Sequence, residues 1–239
     1  MGTLKNICAV LTFGTILAGS TAVMAAPVYR TAIPPSATLK YKVTASYNGL
    51  SLSGNSLIQW QTNLKDYAIK DSCTVTFFGN VLNAASSGLV DSHGLKPANY
   101  AETKRHKKFS ATINQANGSF KPSDGDGSIP FSGQVQDHSS VVWQLSAIAN
   151  GNKEHVIPGN SYTLQVIGHR GVRSWTFHVS RNETLSTPAG NFQTAVLSGN
   201  NGKNQTMTIW LAKDNYYYPV QLYFKDNSFE TRQTVSSIQ

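Results

Sequence analysis

The sequence predicts a mainly β protein: a strongly curved antiparallel sheet or open β-barrel with one short α-helix packed against it. Three observations carry that prediction. Apolar and polar residues alternate with period two through most of the chain, turn-forming residues separate the alternating segments, and one stretch breaks to helical spacing.

The N-terminus reads as a secretory signal peptide over residues 1–25. Lys5 supplies the positive region, Ile7 to Ala18 the short apolar region, and Val23-Met24-Ala25 a small-residue cleavage site. The cut is placed after Ala25, because a cut after Ala26 would put Pro27 against the scissile bond. The apolar run is too short for a comfortable transmembrane helix. Cys8 lies too early to accept a lipid at the cleavage site. Processing leaves 214 of the 239 residues and, with Lys5 gone, takes the formal charge from +8 to +7. That length can bury the core of one β-rich domain, read over 37–239.

Residues 26–36, "APVYRTAIPPS", lack periodicity and read as an extended leader. "LKYKVTASY" then puts Leu39, Tyr41, Val43, Ala45 and Tyr47 on one strand face. Asn48-Gly49 marks a hairpin, since both residues tolerate positive φ. "LSLSGNSLIQWQT" returns, and Asn63 to Asp66 turns again. "YAIKDSCTVTFF" is the next strand, with Cys73, Val75 and Phe77 alternating with Thr74 and Thr76. Cys73, alone after processing and without a disulfide partner, is therefore read as a core residue. Asp91 to Pro97 reads as a turn, and Asn114 to Gly133 as a flexible loop or long-tipped hairpin.

"QDHSSVVWQLSAIANG" (Gln136 to Gly151) breaks the alternation. Val141, Leu145 and Ile148 fall at helical spacing. Asp137 or a following serine caps the start and Gly151 ends it. The expectation is a short amphipathic helix lying against the sheet. "YTLQVIG" and "RSWTFHVS" then pair at Arg170-Gly171. "FQTAVLS" pairs with "QTMTIWLA", and "YYPVQLYF" with "SFETRQTVS".

"GLKPANY" (Gly94 to Tyr100), "QDHSSVVWQL", Pro158-Gly159, "ETLSTPAGNF" (Glu183 to Phe192), "IWLA" (Ile209 to Ala212) and "YYPVQL" (Tyr217 to Leu222) follow in order. In that order and spacing the chain resembles the exported bacterial family known as domain of unknown function 3108. The resemblance covers most of the processed chain and implies a β-rich periplasmic domain. It implies no catalytic residues. The shared motifs read as scaffold: Pro188 and Gly190 for a tight turn, Asp137 for a helix start, Trp210 for a core position.

Signals for chemistry are weak. His93, His106, His138, His155, His169 and His178 show no metal-ligand spacing. "SDGDGSI" carries Asp124 and Asp126 but lacks the remaining ligands of a calcium loop. There is no G-x-S-x-G, no S-x-x-K, and no pair of carboxylates that stands out among twelve acids. No cofactor is called for. Two features remain. "TKRHKKF" concentrates Lys104, Arg105, Lys107 and Lys108, either as a solvated edge strand or as a protruding turn suited to anionic head groups. Trp60, Trp143, Trp175 and Trp210 fill a core or line an apolar cavity.

The expected function is an exported, non-enzymatic protein, periplasmic, that binds or carries an apolar or amphiphilic envelope component. The alternative is a structural or protein-interaction module in envelope assembly, and a cell-wall or lipid hydrolase ranks behind both. Export argues against nucleic-acid partners. After signal cleavage no membrane span is expected.

Overall fold

The structure is a computed structural model that describes residues 29–47, 49–104, 107–202, 204–226 and 229–239. The signal-peptide reading, Arg105 and His106 therefore lie outside the described residues. Strands run β1 (Ala37–Tyr47), β2 (Leu50–Thr62), β3 (Asp66–Val75), β4 (Gly79–Asp91), β5 (Gly94–Lys104), β6 (Lys107–Asn114), β7 (Ser119–Pro122), β8 (Ile129–Pro130) and β9 (Val135–Gln136). The helix α1 (Ser140–Gly151) follows, and then β10 (Ser161–Gly168), β11 (Gly171–Thr187), β12 (Gly190–Asn200), β13 (Thr206–Ala212), β14 (Pro219–Asp226) and β15 (Phe229–Ile238).

All fifteen strands form one sheet, in the order β8 to β1 and then β15 down to β9. Sequence neighbours from β1 to β8 and from β10 to β15 pair as antiparallel hairpins, β9 pairs with β10 in parallel, and β1 pairs with β15 over nearly its whole length. The sheet curls until its two ends, β8 and β9, approach each other. They do not join through a backbone ladder. Gln115 donates to the Val135 carbonyl at 3.1 Å, and Gln134 and Gln136 donate to the Leu95 carbonyl at 2.6 and 2.8 Å. Phe109, Ile113 and Phe120 from β6 and β7 share a core cluster with Val135 and Ile167 from β9 and β10. The fold is thus an open barrel closed by side chains.

The helix departs from expectation. Every residue from Ser140 to Ala149 is buried, so α1 plugs one end of the barrel and is not an amphipathic helix on its surface. Its polar residues are satisfied internally. Gln144 accepts from the Leu95 N–H at 2.7 Å and donates to the His93 carbonyl at 2.8 Å, and Ser146 donates to the Tyr217 carbonyl at 2.7 Å. The start is capped as expected: the Asp137 carboxylate accepts from the Ser139 and Ser140 N–H groups at 2.9 and 2.8 Å. The helix ends at Gly151 as expected, and the glycine has a further role. A Cβ there would lie 2.7 Å from the Thr31 carbonyl carbon, so glycine lets the leader cross the helix.

That leader is a strap. The Ala32 N–H donates to the Ala147 carbonyl, Asn150 donates to the Ala32 carbonyl, and the Trp60 indole donates to the Pro34 carbonyl. Four further expectations change. The turn expected over Asp91 to Pro97 is confined to Ser92-His93, because Gly94 already starts β5. The loop expected over Asn114 to Gly133 contains β7 and β8. Phe77 is not on the strand: β3 ends at Val75, and Phe77 sits at the hairpin tip with φ of +67°. The basic stretch is not an edge strand. Lys104 ends β5 and Lys107 begins β6, the two face each other, and both strands lie inside the sheet.

Candidate binding cavity

Seven hairpin connections lead to the end of the barrel opposite the plug: those after β1, β3, β5, β7, β10, β12 and β14. Within their rim lies a cavity of about 320 Å³. Trp143, Val142 and His138 of the helix end form its floor, and Ile58, Ile69, Met207, Leu222 and Phe224 its apolar walls. Strand alternation dictates this. On β3 the residues Tyr67, Ile69, Asp71, Cys73 and Val75 share the inner face. On β5 the same parity brings Tyr100, Glu102 and Lys104 inward.

Asp71 is the unusual member. It is a carboxyl on an otherwise apolar inner face, and its one hydrogen bond is a long 3.4 Å contact from the Ser56 hydroxyl. Burial pushes its pKa up to about 7. Its charge in turn helps raise Tyr41 and Cys73 after the larger effect of their own burial. The Cys73 thiol, pushed up to about 12, is buried and held in the poorly nucleophilic neutral form. Gln233, on β15 in the same wall, has a buried side-chain oxygen with no hydrogen-bond partner. The deep wall is therefore rich in unused acceptors.

Toward the rim the cavity becomes charged. Lys104 lies 5.3 Å from the Phe224 ring and 4.0 Å from Asp226. His169 stands between Glu102 at 3.5 Å and Asp124 at 2.8 Å. It also packs on Phe109 at 4.0 Å between ring centroids. Asp124, from the stretch with a partial calcium pattern, is thus held by a histidine, which lowers its pKa. Burial lowers the pKa of His138 on the floor. Among the described residues no cluster of three or more histidine, cysteine or acidic side chains is placed to hold a metal.

The sequence-derived candidates separate. Lys104 lines the cavity, Lys107 and Lys108 are exposed beside it, and Arg105 lies outside the described residues. Trp143 floors the cavity and stacks on Trp60 with centroids 4.6 Å apart and planes at 12°. Trp60 lies behind it and does not line the cavity. Trp175 lines an adjoining groove of about 630 Å³ that shares His138, His169 and Gln205 with the cavity. Trp210 is not a cavity residue. It has the opposite strand parity to Met207, which lines the cavity, and is buried at the expected core position beside Val196, Ala212 and Tyr218, with the Arg181 and Arg232 guanidinium groups 6.0 and 5.5 Å from its ring. Its indole donates to Glu183. Asp71, Glu102, His138, His169 and Gln233 were not singled out by the sequence. Asp71 carried a readable signal, since it shares parity with Ile69 and Cys73.

Fold and cavity together define a mainly β, barrel-like protein whose interior is plugged at one end and open at the other. The chain matches the family described as protein of unknown function (DUF3108) over residues 40–229, and it belongs to that family. Among curated proteins none matches. A similar solved structure is a β-barrel-like protein of domain of unknown function DUF1849 from Brucella abortus. It is 12% identical, with a TM-score of 0.61 over 87% of this chain and 99% of that one. That likeness supports the fold alone. A protein with a YmcC-like fold from Bacteroides fragilis NCTC 9343 overlaps more loosely, at 10% identity and a TM-score of 0.33 over 89% of this chain and 100% of that one.

Proposed function

We propose that this chain is an exported, non-enzymatic binding protein that holds part of an amphiphilic component of the cell envelope in its open-ended barrel. One observation carries the reading: a cavity of about 320 Å³ with apolar walls, a charged rim and an acceptor-rich wall. Its volume falls in the range of about 300–1,000 Å³ typical of small-molecule pockets. An apolar chain fits the walls, and a hydroxyl or ammonium group suits Asp71 and Gln233. A role as an interaction module through sheet edges has less support, because the two edge strands are two residues long and lie at the seam.

Native mass spectrometry of the protein purified gently from its producing cell tests the reading. A discrete bound mass is expected, extractable as an amphiphile and displaced in Leu222→Trp, which fills the cavity. A clean unliganded mass, together with no uptake of long-chain amines or alcohols by the purified protein, would overturn it.

A further inference from the structure

We propose that the open end of the barrel docks on the surface of an anionic phospholipid bilayer. The hairpin tips at that end carry both exposed apolar side chains and uncompensated cations. Phe77 and Phe78, adjacent at the β3–β4 tip, are 95% and 55% exposed, and Leu50 at the neighbouring β1–β2 tip is 55% exposed. Phe77 adopts φ of +67°, a backbone region that bulky residues rarely enter, and it projects from the turn. Large apolar side chains at the ends of tips have no folding reason to point into water. They suit the headgroup region of a bilayer, where aromatic rings insert while the body of a protein stays outside.

The charges on the rim fit the same partner. Several acids at this end are already engaged: Asp226 with Lys104, Glu230 with Lys225 at 3.7 Å, and Asp124 with His169. Lys107, Lys108, Arg170 and Arg173 are exposed and form no ion pair among the described residues, against one exposed free acid, Asp126. An anionic surface supplies the missing counter-charge. The opposite end also exposes apolar residues, Leu64, Leu89 and Tyr216, but Leu64 and Leu89 lie beside Asp66, which forms no ion pair among the described residues. Anionic lipid repels that carboxylate. No described helix is long and apolar enough to cross a membrane, so this contact is interfacial.

Vesicle flotation tests the proposal with phosphatidylcholine alone and with phosphatidylcholine containing phosphatidylglycerol, at low and high salt. The protein is expected to float with the anionic vesicles at low salt and to be released at high salt. Phe77→Ser with Phe78→Ser is expected to cut partitioning at least tenfold. Lys107→Glu and Lys108→Glu are each expected to cost roughly fivefold or more. Leu64→Ser with Leu89→Ser is expected to change nothing. Circular dichroism checks that each variant folds. Absence of flotation, equal flotation on neutral vesicles, or a loss caused only by the Leu64 and Leu89 changes would overturn the proposal. Docking does not depend on what the cavity holds. A variant that no longer floats but keeps its bound mass separates the two readings.

Discussion

Asp71 places an ionisable group where the surrounding residues favour its neutral form. Folding raises its pKa from the ordinary 3.8 to about 7, so between those values the folded chain binds more protons than the unfolded one. Stability therefore falls as pH rises through that window and levels off above it. Asp71→Asn removes the penalty. The variant is expected to match the wild type near pH 4 and to exceed it at pH 8. The gain is on the order of a few kcal/mol, since one unit of pKa is worth about 1.4 kcal/mol. Urea unfolding at the two pH values measures it, and an equal difference at both would contradict the assignment. The position of Asp71 was legible in the alternation of β3. Its partner was not, because Ser56 reaches it from the neighbouring strand β2. Trp210 is buried in a core cluster, as its place in the strand suggested, and its parity relative to Met207 keeps it out of the cavity; the two arginines over its ring come from other strands and were not legible.

At the level of elements, the helix binds the fold together. Gln144 bridges it to the β4–β5 turn, and Gly94 there has φ of +102° with the Gln144 side chain where a Cβ would stand. Gln144→Leu keeps the volume but orphans the Leu95 N–H and the His93 carbonyl. Each buried orphan costs roughly 1–3 kcal/mol. A lower midpoint of chemical unfolding is expected, and Gln144→Glu should restore part of it by still accepting from Leu95. The helix was legible, with its Asp137 cap. Its burial was not, because Ser140, Gln144 and Ser146 look like a wet face until their protein partners are known. β4 carried no readable pattern for a related reason. Its inward residues Ala84 and Ser86 are small, leaving room for the helix start, and Ser86 donates to Asp137 at 2.6 Å. An element chosen for what it leaves vacant shows little hydrophobic periodicity.

The whole molecule is a single curled sheet whose ladder is interrupted between β8 and β9; there β9 is tied to the start of β5 and to the β6–β7 turn by glutamine side chains instead. Amide exchange should reflect that. The plug helix is expected to protect its amides longest, and Ile129 and the residues around it to exchange first. Hydrogen-exchange mass spectrometry would detect the opposite order, which would mean that the barrel opens elsewhere. Antiparallel meandering and the turn positions were legible along the chain, because each depends on near neighbours. The pairing of β1 with β15 was not, because it joins residues such as Lys42 and Thr234 that no local pattern connects. That pairing also bears on how the chain is made. A polypeptide is produced from its N-terminus, so β1 to β8 and the plug appear while the edge of β1 has no partner. The open edge is sealed only when the last strand arrives, and until then it is the surface most exposed to mispairing with another nascent chain.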